Sequence, residues 1–160
     1  MEHRIEDFTQ KKVIGKRITM SLADNKTGEL WRDFMTNRRL IHNQLGADLY
    51  SIQVYSPSHF DEINPARQFE KWAAAEVADF NAIPAGMAAL TIESGLYAVF
   101  LHKGAASTGP KSFRYIFTEW LPDSGFIVDN RPHFEVLGAA YKNEDPGSEE
   151  EIWIPIKRKV

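Results

Sequence analysis

The chain has 160 residues, with 19 Lys+Arg against 22 Asp+Glu and a formal charge of −3. That length suits one domain or two small repeats sharing a core, excludes a (β/α)8 barrel, and with a negative total speaks against a basic DNA-binding domain. Cysteine is absent, which excludes disulfide frameworks, zinc knuckles and thiol nucleophiles, and 43% hydrophobic with 26% charged residues excludes wholesale disorder.

The start, Met1 to Asp7, is polar and mixed in charge, without the apolar stretch of a secretory leader. No window is apolar enough for a spanning helix, so a cytoplasmic location and no membrane partner are expected. Residues 11–20 read as a strand through Val13, Ile14, Ile18 and Met20. Turn residues at 24–28 lead into a helix from Glu29, whose apolar positions Leu30, Phe34, Ile41 and Leu45 keep a helical period. Residues 49–55 alternate as a strand. Residues 56–65, rich in Pro, Ser and His, form a loop, and residues 67–80 are a second strand.

Pro84-Ala85-Gly86 marks the midpoint. Residues 87–92 and 96–102 read as strands, and 104–110 as a small-residue loop. Residues 111–121 form a helix with Phe113, Ile116, Phe117 and Trp120 on one face. Residues 133–137 are a short strand, 145–151 an acidic loop, and 152–156 a final strand. The order is strand, helix, strand, strand, stated twice. It predicts an α+β fold of two such repeats related by a pseudo-twofold, with an antiparallel sheet. One domain over 1–160 is expected, with halves at about 1–83 and 84–160.

Most chemical signals fail. The stretch Gly104 to Ser112 resembles a phosphate loop, but Pro110 removes a donor and breaks the lysine register, so it reads as a capped loop before a helix. The five histidines show no metal-ligand spacing, although His102 and His133 lie on strands that can bring them together. The basic pairs are scattered and read as solvated surface. No metal or cofactor is expected. His133-Phe134-Glu135-Val136-Leu137 alternates: with Phe134 and Val136 against a helix-covered core, Glu135 faces the other side of the sheet with His133 and Leu137.

Five stretches, in order, resemble the GyrI-like small-molecule-binding domain, which is also the effector-binding domain of AraC- and MerR-type regulators. They are Ile83 to Met87, Gly95 to Gly104, Trp120 to Phe126, Arg131 to Glu135 and Ile152 to Ile156. The first half matches more loosely, through residues 50–55 and 69–77. The resemblance implies a central ligand cleft between the repeats, with Glu135 among aromatics, meeting cationic amphiphiles. The physics agrees, because a buried carboxylate is costly unpaired and a cation between aromatic faces offsets that cost. Candidate wall residues are Phe34, Tyr55, Trp72, Tyr97, Phe100, Trp120 and Tyr141, with Leu137, His102 and His133 beside them. The family's usual Tyr two places after the Glu is Leu137 here, its glycine in the last strand of the first half falls within Ala73-Ala74-Ala75, and there is no helix-turn-helix, so a stand-alone module that does not bind DNA directly is expected.

Three functions follow from the resemblance. The favoured one is a protein that captures hydrophobic, cationic or aromatic small molecules, serving in multidrug binding related to transcription regulation. The second is a hydrolase of strained, cyclopropanoid-type electrophiles with Glu135 as general base. The third is a protein–protein inhibitor of the gyrase-inhibitor type, contacting gyrase or a separate regulator through the acidic loop at 144–151. Oligomeric state is not encoded in any motif.

Overall fold

The computed structural model describes residues 1–160. Its strands are β1 (His3–Phe8), β2 (Lys11–Met20), β3 (Gln44–Val54), β4 (Phe69–Val77), β5 (Ala88–Ile92), β6 (Gly95–Lys103), β7 (Phe126–Val128), β8 (His133–Leu137) and β9 (Glu149–Arg158). Helix α1 is Thr27–Asn37. Helix α2 is Gly109–Tyr115, continued by a π-helical turn over Ile116–Trp120 and a last turn over Leu121–Asp123. All strand pairs are antiparallel, in the order β1-β6-β9-β8-β3-β4-β2-β5, with β7 added on β9. The fold is α+β, as the element order predicts.

Several boundaries differ from the sequence expectation. The first helix stops at Asn37. A 3-10 turn follows over Arg38–Leu40, and Ile41 is already extended. Ile41 keeps its helical phase because that turn still points it at the core, whereas Leu45 is 48% exposed at the start of β3. The acidic stretch at 149–151 opens β9 instead of forming a loop. β1 and β7 were not expected. β1 is an edge strand with charged positions, and β7 has three residues, too few for a periodic signal.

The repeat is explicit in the sheet. Outward from the β3–β8 seam, one half runs β3, β4, β2 and the other β8, β9, β6. The helix follows β2 in one half and β6 in the other. A short sequence signature marks it. In Glu70-Lys71-Trp72 the indole Nε1 donates to Glu70 Oε1 at 2.6 Å, and in Glu151-Ile152-Trp153 it donates to Glu151 Oε1 at 3.2 Å. An arginine lies over each ring, Arg17 at 5.7 Å and Arg4 at 5.6 Å, and each also pairs with the glutamate that bonds that indole, Glu70 for Arg17 and Glu151 for Arg4. Trp72 pairs with Ile52, Trp153 with Phe134, and Ile52 with Phe134 across the seam. Gln53 and Glu135, each one residue further on, therefore hold equivalent places about the pseudo-twofold.

The two faces of the sheet differ. One carries the helices. Leu30 and Phe34 of α1 pack on Ile14, Ala73, Ala75 and Val77, while Ile116 of the second helix packs on Ala98, Phe100, Ile152, Ile154 and Ile156. The other face holds Phe8, Tyr50, Ile52, Trp72, Tyr97, Phe134 and Trp153 in one cluster. The link Thr9-Gln10 joins β1, at one edge of the sheet, to β2 near the other, so the sheet curls around this aromatic face. Gly15 sits where β2 pairs with both β4 and β5. A Cβ there would strike the Ala73 carbonyl and Ala74, so this close approach of β2 to β4 requires glycine. One expectation is corrected. Phe134 lies on the face away from the helices and Glu135 on the helix face. The alternation holds, but the aromatic side, rather than the helix side, takes Phe134.

Candidate functional site

Glu135 stands in register with Ser51 on β3 and Ile152 on β9. Ser51 leads to Ala73 under α1, and Ile152 belongs to the cluster under the second helix. The carboxylate therefore rises from the seam, between the two helices. It is 9% exposed, and its one hydrogen bond comes from Gln53 Nε2 to Oε1 at 3.4 Å. Lys71, directly opposite Gln53 in register and 6% exposed, shares this face. Its Nζ has no carboxylate oxygen within 4.0 Å.

Burial drives the electrostatics here. Desolvation pushes the Glu135 carboxyl up, against the pull of the Lys71 ammonium and the Gln53 amide. Desolvation lowers Lys71, against the raising effect of Glu135 and Glu150. Glu150 is pushed up to about 7, by burial first and by the Glu135 charge second, with Lys71 opposing. Tyr55 is raised by burial and then by Glu135. Tyr141 is raised by burial, Glu150, Glu144 and Glu135. Two carboxyls, one amine and two phenols thus share one buried field.

An aromatic wall adjoins it. Tyr55 lies 4.4 Å from His59, 4.9 Å from Phe60 and 4.9 Å from His133, ring centre to ring centre. Phe60, 46% exposed on the β3–β4 loop, stacks on Phe117 at 5.2 Å and lies 5.5 Å from His133. Phe117 belongs to the π-helical turn, a wide-turn feature common at functional sites. Burial, then His59 and Arg131, pushes His133 down to about 3, so its imidazole is neutral at ordinary pH.

The structure divides the sequence-derived candidates. Tyr55, His133 and Leu137 share the Glu135 face, and Tyr141 lies within reach of its charge. Trp72 and Tyr97 point to the opposite face. The Tyr97 hydroxyl donates to the Pro132 carbonyl at 2.7 Å, under Arg131 at 4.7 Å. Phe34 is core beneath α1. Phe100 is on the helix face but packs with Trp120 at 5.0 Å, and Trp120 stacks with Phe126 and bonds His3, a separate aromatic group. His102 is two strands away from β8, with Nδ1 2.6 Å from Ser112 Oγ, and makes no contact with His133. A hollow of about 640 Å3 borders His102, Lys103, Thr108, Lys111 and Met1, and none of the Glu135 group lines it. No group of three or more His, Asp or Glu converges as a metal site, and no helix is long and apolar enough to cross a membrane.

Sequence reasoning missed Gln53, Lys71, Glu150, Phe60 and Phe117. The register with Glu135 could have found Gln53, since alternation in residues 49–55 puts it on the inward set with Ser51 and Tyr55. Lys71 lies between Glu70 and Trp72, and a strand lysine ordinarily reads as solvated.

A family model, the GyrI-like small molecule binding domain, matches residues 1–157. The chain belongs to this family. No curated protein matches it in sequence. Among solved structures it resembles SAV2435 bound to tetraphenylphosphonium, with a TM-score of 0.74 at 17% identity over 98% of this chain and 94% of that one. It also resembles the EcmrR C-terminal domain, with a TM-score of 0.72 at 14% identity over 99% and 98%. A hydrolase from Listeria innocua is more distant, with a TM-score of 0.59 at 9% identity over 98% and 92%. These likenesses speak for the GyrI-like fold. They leave the ligand to chemistry.

Proposed function

We propose that this GyrI-like chain captures hydrophobic, aromatic ligands bearing a cationic group, that Glu135 is the charge they meet, and that the two halves, about 1–83 and 84–160, close on them as one domain. The observation that carries this is a buried carboxylate with a single long hydrogen bond beside the Tyr55–Phe60–Phe117–His133 wall. Such a carboxylate costs free energy where it stands, and a cation against aromatic faces offsets that cost by about 0.5–2 kcal/mol per ring contact. Phe60, on a loop and half exposed, is the side chain placed to move aside for entry. The complex of SAV2435 with tetraphenylphosphonium supports a cationic aromatic ligand by analogy of fold. Direct DNA binding does not enter this reading, in keeping with the charge of −3.

Glu135→Gln keeps the shape and removes the charge. It is expected to weaken tetraphenylphosphonium about tenfold or more by calorimetry, near 1.4 kcal/mol, while leaving triphenylphosphine oxide within about twofold. Equal losses for both would rule out charge recognition.

The alternatives share parts of this site. A hydrolase would use Glu135 as general base with Glu150 beside it, and the feature that favours it is that burial and the Glu135 charge push the Glu150 carboxyl up to about 7. Multiple turnover of a cyclopropanoid by the wild type, lost in Glu135→Gln, would establish it in place of capture. A gyrase-type inhibitory contact finds less support. In the acidic segment, Glu144 bonds Ser107, Glu151 is held by Arg4 and Trp153, and Glu150 faces inward.

A further inference from the structure

Three polar groups in and beside the seam are short of partners. Gln53 Oε1 is buried with no hydrogen bond. Glu135 has its one bond at 3.4 Å. Lys71 Nζ, on a side chain as buried as theirs, makes no hydrogen bond and no ion pair within 4.0 Å. Buried polar groups are paired as a rule, and a charge without its partner is the costliest exception. Here acceptors and a donor stand on one face without meeting each other. Lys71 and Gln53 are opposite in register, and Glu135 lies one strand further and diagonal. Strand spacing puts the Cα atoms of Lys71 and Glu135 about 10–12 Å apart, and both side chains reach in from the same face.

We propose that Lys71 makes this site selective for zwitterionic aromatic ligands, which present a cationic N–H group to Glu135 and Gln53 Oε1 and, on the same skeleton, an anionic group to Lys71. The inference rests on the capture reading above and adds the ligand's second charge. A ligand that is only a cation would pair with Glu135 but set a second positive charge near the unpaired Lys71 ammonium. A ligand that is only an anion would leave the carboxylate unpaired. A ligand with both charges satisfies all three groups, and the stacked Phe60 and Phe117 rings, with Tyr55 edge-on to Phe60, suit an aromatic ring between them. Glu150 also faces Lys71, but beyond ion-pair distance. Burial and the Glu135 charge push its carboxyl up to about 7, which weakens it as a counterion for Lys71.

The probes are 4-(aminomethyl)benzoate, a zwitterion with its charges across one ring, and its methyl ester, a cation on the same skeleton. Both are titrated by calorimetry into wild type, Lys71→Met and Lys71→Arg, with thermal melting to check folding. The wild type is expected to bind the zwitterion at least about tenfold tighter than the ester, a 1.4 kcal/mol preference. Lys71→Met should abolish that preference by losing zwitterion affinity, not ester affinity, and Lys71→Arg should keep it. Equal binding of the two probes by the wild type, or equal losses in Lys71→Met, overturns the assignment of Lys71 and leaves the Glu135 site standing. Failure of the wild type to bind either probe or tetraphenylphosphonium overturns both readings.

Discussion

Phe134→Ala is expected to destabilise the protein by about 3–5 kcal/mol, the range for deleting a fully buried aromatic side chain. Phe134 sits at the pseudo-twofold seam and touches four other rings: Phe8, Tyr97 and Trp153 at 5.3 Å each, and Tyr50 at 6.0 Å. Those rings come from β1, β6, β9 and β3, so one side chain ties strands of both halves together. None of its partners is on the Glu135 face, and truncation should leave the site chemistry intact in whatever fraction remains folded. The measurement is denaturant unfolding, read as a drop in midpoint at unchanged slope. A loss below about 1 kcal/mol would show that the aromatic face is not the principal core.

His133 is expected to govern acid sensitivity. Its folded-state pKa, near 3, lies below the ordinary 6.5, so the unfolded chain binds the proton more readily. The stability that comes from keeping the ring neutral is complete above pH 6.5 and is lost as pH falls towards 3. It amounts to about 3–5 kcal/mol across that window. The buried carboxyls of the site slope the other way. The contribution of Glu150, whose pKa is raised to about 7, is complete below about 4.5 and is lost as pH rises through 7. The comparison of interest is therefore wild type against His133→Leu, which fills the same space without titrating. The variant should lose markedly less stability than wild type between pH 6.5 and 4, measured by urea unfolding at each pH. Parallel curves would mean that the imidazole is not held neutral by its surroundings.

The sequence was legible where one physical rule acts alone. Alternation delimits residues 133–137, and a run of apolar positions delimits 11–20, both matching the strands β8 and β2. The α1 terminus was not legible, because Ile41 is buried through a turn and imitates another helical position. The repeat left a mark, Glu-x-Trp in β4 and β9, but it becomes a signal only when the register shows both indoles flanking the same seam. Period-two reasoning put Glu135 opposite Phe134 correctly. It carries no information on which face the helices cover, because that depends on connections between distant strands. Tyr97 and Trp72 fell to the same ambiguity: family motifs locate them in strands, and only the curl of the sheet decides the side they serve. Phe60 and Lys71 were invisible for opposite reasons. One is an aromatic in a loop of turn residues, and the other a charge in a strand so small-sided at Ala73-Ala74-Ala75 that its burial comes from its neighbours.

A structure determined with tetraphenylphosphonium bound tests the central claim most directly. The ligand should lie between α1 and the second helix, with its phosphorus nearest the Glu135 carboxylate, Phe60 displaced or stacked on a phenyl ring, and Phe117 and Tyr55 in contact. Density in the hollow beside His102 and Lys111, on the Trp72–Tyr97 face, or nowhere at saturating ligand would contradict the assignment of Glu135 as the binding charge.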